Sequence, residues 1–206
     1  MRRTPIYLLV LSFLLFIAPP ASDNAAAAGG APSHIVAGFQ SALVAVMKEA
    51  ETLSVRQRFE RLTKTVDESF HWALMAQITT GNHWKSATHT ERNNLVEAFR
   101  RMSITTLATL FDGHSGEIFK VIQEADGPSR TRIVQTVLVK GDKSKVDILY
   151  VCRKFKVGWR MIDVILDNGI SELKVRRSEY NGVLKKGGLP ALIGLLNSKA
   201  DELMSN

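Results

Sequence analysis

Asp163 and Asp167 are the residues whose type and spacing come nearest to chemistry. Four apart in an extended stretch, they fall on one side of a strand, and two carboxylates facing a pocket can share the work of general acid and general base. Asp167, however, begins Asp167-Asn168-Gly169, where a turn aspartate is ordinary, and neither a nucleophile nor a phosphate cradle accompanies the pair. His71, His83, His89 and His114 could be imagined around a metal, but a site needs several converging ligands and this spacing shows none, so they read as surface or cap histidines. Cys152 is the single cysteine and cannot form an internal disulfide. It lies in an apolar strand with only Arg153 nearby to hold a thiolate, so it reads as a small buried hydrophobe. There is no GxSxG, glycine-rich phosphate loop, HExxH or CxxC, and no cofactor or metal is implied. The sequence reads as non-enzymatic, the alternatives being a pocket hydrolase or isomerase using Asp163 or a histidine and a filled, non-catalytic envelope adaptor.

Both aspartates belong to a run of strands. Ile133 to Val139 stops at Lys140-Gly141-Asp142-Lys143, a hairpin signal, and Val146 to Arg153 answers it. Trp159 to Leu166 follows the Gly158 turn. The middle strand alternates, with Val146, Ile148, Tyr150 and Cys152 on one side, whereas the third is apolar on both sides and predicts cover on both faces. A fourth strand is expected at Glu117 to Glu124, ahead of the Asp126-Gly127-Pro128 turn. Connections this short make the sheet an antiparallel meander.

Helices flank these strands. Ile35, Val36, Phe39, Leu43, Val46 and Met47 recur at helical spacing. Ser54 with Gln57, and Thr88 with Glu91, are capping boxes that open two further helices, the second carrying Leu95, Phe99, Met102, Leu107, Leu110 and Phe111. Between them Phe70, Leu74, Met75 and Ile78 stripe a helix that Gly81 ends, with a loop to follow. After Asp167-Asn168-Gly169 a helix holds Leu173, Tyr180 and Leu184, and Gly187-Gly188 separates it from a last one with Pro190 near its first position. The fold class is α+β: an antiparallel meander of about four strands covered by N- and C-terminal helices in a single domain.

The chain has 206 residues. Arg2-Arg3, the apolar run Ile6 to Ala18 and the small residues Ala25 to Ala28 make residues 1–28 a signal peptide, too short for a membrane span. Residues 29–33 read as a flexible leader remnant and 34–206 as the domain. Removing Arg2, Arg3 and Asp23 with the signal takes the formal charge from +7 to +6. Outside the cytoplasm that basic surface points to anionic head groups or an acidic partner and away from nucleic acid.

Phe70-His71-Trp72-Ala73-Leu74-Met75-Ala76-Gln77 and Gly81-Asn82-His83-Trp84-Lys85-Ser86-Ala87-Thr88 resemble the MlaC, or toluene-tolerance, family. Gly158 to Val164, Ser178-Glu179-Tyr180 through Leu184, Gly188-Leu189 and Leu192-Ile193 match in the same order. Gln77 stands where an arginine is usual, and Lys174-Val175-Arg176 where an Asn-Tyr-Arg segment is common. The chain resembles the hopanoid-associated HpnM branch most closely.

The resemblance implies an NTF2-like sheet and helical portion enclosing an apolar pocket. It further implies a monomeric periplasmic carrier that shuttles phospholipid or a hopanoid-type lipid between an inner-membrane ABC-type transporter complex and a second membrane partner, with transient membrane-surface contact. On that reading the pocket wall is Leu74, Ile78, Phe99, Met102 and Leu107 from helices, Val137, Tyr150 and Cys152 from strands, and Ile162, Val164, Leu173 and Tyr180 beyond them. Arg153, Arg176 and Arg177 are the expected head-group or membrane contacts, and Trp84 and Trp159 packing anchors.

Overall fold

The computed structural model describes residues 31–166 and 169–205. The expected signal peptide, Asp167 and residues 29–30 of the leader lie outside these residues, and Pro32 and Ser33, expected in the flexible leader, belong to the first helix. Helix α1 (Pro32–Glu49) opens on its proline, whose missing N–H costs nothing at a first helical position. It buries the stripe Val36, Phe39, Leu43 and Val46. A short 3₁₀ turn leads to α2 (Val55–Ser69), whose capping box forms as expected: Gln57 N–H donates to Ser54 Oγ at 3.3 Å and Ser54 N–H to Gln57 Oε1 at 2.9 Å. Helix α3 (Trp72–Thr80) ends at Gly81, where φ is +56°. The stretch read as a loop is a five-residue helix, α4 (Asn82–Ser86). The second capping box, Thr88 with Glu91, starts α5 (His89–Leu110).

The sheet is a five-stranded antiparallel meander, β1 (Ile118–Gly127), β2 (Thr131–Val139), β3 (Lys145–Phe155), β4 (Gly158–Leu166) and β5 (Ile170–Ser171), in sequence order. The fifth strand, beyond the expected four, is two residues long and pairs with the end of β4. Gly158 takes φ +107° to make the β3–β4 turn, a conformation that disfavours any side chain. Helix α6 (Glu172–Ser205) runs on to the end of the described residues and is broken at Gly188 (φ +63°), two residues before Pro190, where the sequence separates two helices.

Register fixes which side chains face the helices. Val134 and Val164 both pair with Tyr150, Thr136 with Ile148, and Cys152 with Met161, so these form one face. That face and the helices share the hydrophobic core, which includes Val134, Ile148, Tyr150, Cys152 and Met161. Ile133, Leu149, Val151 and Ile165 on the opposite face stand outside this core and are only half-buried. The apolar cover expected on both faces is thus one-sided.

Phe70 forms a parallel bridge with Met161, and His71 N–H donates to Met161 O at 3.0 Å, which seats the α2–α3 junction on the sheet. Buried Arg58 supplies another joint. It donates from Nε to Ala108 O at 2.7 Å and from a terminal nitrogen to Ala50 O at 3.2 Å and Leu53 O at 2.6 Å, satisfying carbonyls at the ends of α1, the 3₁₀ turn and α5.

Candidate functional site

The one-sided packing leaves a gap. Where the C-terminal half of α5 and the start of α6 cross over the sheet, a cavity of about 260 Å³ remains. Phe39 and Leu43 of α1 and the aromatic pair Phe70 and Trp72 close it on one side, the rings of that pair stacked at 5.2 Å. Ser103, Thr106, Leu107 and Leu110 recur at helical spacing along α5 and form another wall. Ile148, Tyr150, Val164 and Leu166 form the floor, and Leu173 and Arg176 reach in from α6. Leu110 is 69% exposed and Leu166 37%, which places the mouth at the ends of α5 and β4.

The lining is almost wholly apolar, and the polar atoms of Tyr150 and Ser103 within it are already engaged. Tyr150 accepts a hydrogen bond on its hydroxyl from Gln40 Nε2 at 3.3 Å, and Gln40 also donates to Thr136 at 3.1 Å. Burial pushes the Tyr150 phenol up to about 12, against the opposing effect of that hydrogen bond. Ser103 Oγ donates to Phe99 O at 2.7 Å and accepts from Arg176 at 3.1 Å. The Arg176 guanidinium lies over the Phe99 ring at 5.2 Å from its centroid. A larger groove of about 860 Å³ between α1 and β1 is lined partly by Lys48, Glu49, His114 and Glu117, so it offers an apolar chain less.

Of the residues singled out in the sequence, Leu107, Tyr150, Val164, Leu173 and Arg176 meet at this cavity. Phe99 is fully buried beneath Arg176 and edge-on to Trp72. Met102 and Tyr180 line an adjacent cleft between α5 and α6. Leu74 and Ile78 are half-buried on α3. Cys152 shares the face of Tyr150 but is packed away, its thiol pushed up to about 12 chiefly by burial. Val137 follows Thr136 in the alternation and points to the other face, and Ile162 sits at the β3–β4 bulge. Both are buried outside the main core. Arg153 is exposed near the end of β3, and Arg177 lies on the far side of α6 against Gly81. Phe70, Trp72, Thr106 and Phe119 line the cavity without having been singled out for it. The signal of the three aromatics was the apolar type alone, which does not distinguish a wall from a core, and Thr106 had none, its hydroxyl donating to Met102 O within α5.

Asp163 has a structural occupation. Its Oδ1 accepts from Val164 N–H at 2.8 Å and Leu173 N–H at 3.2 Å, and its Oδ2 from Ser171 Oγ at 2.6 Å. These bonds tie β4 to the start of α6 and leave little room for an acid–base role. His71 accepts from Leu74 N–H at the head of α3 and stacks on Phe155, and desolvation holds its pKa below the usual imidazole value. Among the described residues no three His, Cys, Asp or Glu side chains converge as a metal site.

Residues 39–198 match the profile of a family described as MlaC protein. The fold is similar to that of a phospholipid-binding protein from Ralstonia solanacearum, solved in complex with a phospholipid. The TM-score is 0.72 at 17% identity, over 82% of this chain and 97% of that one. No curated protein matches the sequence.

Proposed function

The chain belongs to the MlaC family, and on that premise we propose that it is a periplasmic lipid carrier. The observation that carries this reading is the apolar cavity between sheet and helices. The similar Ralstonia protein holds a phospholipid, which supports a lipid as the occupant. No helix among the described residues is long and apolar enough to cross a membrane, in keeping with a carrier that meets a bilayer transiently. Residues 1–28 act as the export signal.

The cargo is a phospholipid, its tails entering past Leu110 and Leu166 toward Tyr150 and Val164, with Arg176 at the polar end. Arg153 and Arg177, outside the cavity, are placed for membrane or partner contact. A hopanoid-type lipid is the cargo if the chain belongs to the HpnM branch. A cavity of 260 Å³ is below the roughly 300–1,000 Å³ of ordinary ligand pockets, so loading requires the helices to move off the sheet.

Burying about sixteen methylenes gains on the order of 10 kcal/mol relative to water, but the bilayer offers nearly the same gain. The carrier therefore keeps tails dry without a hydrophobic advantage over the membrane. Loading and release fall to docked partners, an inner-membrane ABC-type transporter complex on one side and a second membrane partner on the other, with the carrier acting as a monomer. Native mass spectrometry of gently purified protein tests the reading. One lipid per chain is expected, and a protein that is empty as purified and takes up none from vesicles refutes it.

A further inference from the structure

The apolar cavity has a charged neighbour. Between α5 and the two halves of α6 lies a cleft of about 420 Å³, and Thr106, Glu172 and Arg176 line both spaces. The break at Gly188 turns the second half of α6 so that Leu196 and Lys199 face the same cleft as Glu172 and Tyr180. Its charged side chains are two acids, Glu172 and Glu179, and two bases, Arg176 and Lys199. Among the described residues none of the four forms a salt bridge. Glu172 and Glu179 flank Arg176 at helical spacings of four and three, which puts both acids on its face of α6, with Cβ atoms roughly 5–6 Å from its own. Arg176 is held by Ser103 and Phe99, so its remaining N–H donors are presented in a fixed direction.

Resting on the carrier reading, we propose that this cleft is the head-group compartment, and that its balanced charges select a zwitterionic head group. The phosphate meets Arg176 and Lys199, and the ammonium meets Glu172 and Glu179, while the tails pass the shared wall into the apolar cavity. An anionic head group without an amine satisfies the bases but leaves two carboxylates facing it, and specificity of this kind comes from the unpaired group as much as from the paired one.

The test is competitive loading of the delipidated full chain from vesicles holding equal amounts of ethanolamine and glycerol phospholipids with identical acyl chains, the bound lipid being counted by mass spectrometry. The wild type is expected to take the ethanolamine lipid at least fivefold over the glycerol lipid. Glu172→Gln with Glu179→Gln leaves the bases unopposed and is expected to invert the preference. Arg176→Lys, which keeps the charge but loses the fork, is expected to cut it to below twofold, and the exposed Lys185→Gln to leave it unchanged. Bound lipid in vesicle proportions, or an unchanged ratio in the glutamine double variant, overturns the inference while leaving the carrier reading intact. A wild type that binds neither phospholipid overturns this inference, and one that is also empty of any lipid as purified refutes the carrier reading with it.

Discussion

Val134 and Val164 flank Tyr150 on the same face of the sheet, one packed at 0% exposure and the other at the cavity wall, and that pair allows a sharp test of whether the space is real. Phenylalanine adds four carbons to valine. At about 0.8 kcal/mol each, burying them in the cavity is worth at most about 3 kcal/mol. Strain from imperfect fit costs roughly 1–3 kcal/mol. Val164→Phe should therefore leave the delipidated protein unchanged or up to about 2 kcal/mol more stable. For a domain of this size that is a rise of as much as about 8 °C in Tm. Val134→Phe has no space to fill and should lose roughly 1–3 kcal/mol to overpacking alone. The assay is thermal unfolding of the delipidated proteins, followed by native mass spectrometry after vesicle loading. Val164→Phe should hold at least tenfold less lipid than the wild type. Equal destabilisation by the two substitutions would mean that the cavity is already closed in solution, and full lipid occupancy in Val164→Phe would mean that cargo lies elsewhere.

Arg58→Leu removes the donors of three carbonyls at the ends of α1, the 3₁₀ turn and α5 and should cost about 3 kcal/mol in chemical denaturation, hydrogen bonds to a charged group being worth about 1.5–3 kcal/mol each and not additive. Asp163→Ala unties β4 from the start of α6 and should cost about 1–3 kcal/mol. It should also shorten lipid retention, because Leu173 lines the cavity, and Asp163→Asn should recover part of both losses. Alkali should weaken the fold through Cys152 and Tyr150, whose pKa values burial raises from 9.0 and 10.0 to about 12. The unfolded chain then releases protons that the folded one keeps, so stability present below pH 9 is lost as pH rises toward 12. Denaturant midpoints measured from pH 8 to 11 should fall for the wild type and flatten in Cys152→Ala/Tyr150→Phe.

The parts of the fold legible in the sequence are those decided locally. Ser54 with Gln57 and Thr88 with Glu91 mark helix starts because the bonds they form are three residues long. The alternation in β3 places Ile148 and Tyr150 together because the pleat has a period of two. Strand β5 was not legible, since two residues acquire strand geometry only by pairing with β4. Helix α4 is too short to show a period. The cavity was half legible. Phe99 and Leu107 lie on one apolar helix, but which borders empty space depends on Arg176 covering one and nothing covering the other. Thr136 and Val137 reverse the simple expectation, because Gln40 satisfies the threonine on the inner face and leaves the valine to the outer one.

Gln40 also sets a schedule. Its partners Thr136 and Tyr150 lie 96 and 110 residues further along the chain. A chain emerging from its N-terminus thus displays the apolar stripe of α1 long before the surface that covers it has been made. Contacts this distant in sequence form late, after loop closure has been overcome, and slow the approach to the native state. Until the sheet has emerged, α2 is the main native cover available to α1, and truncation between α2 and Tyr150 should leave part of the α1 stripe exposed and prone to aggregation.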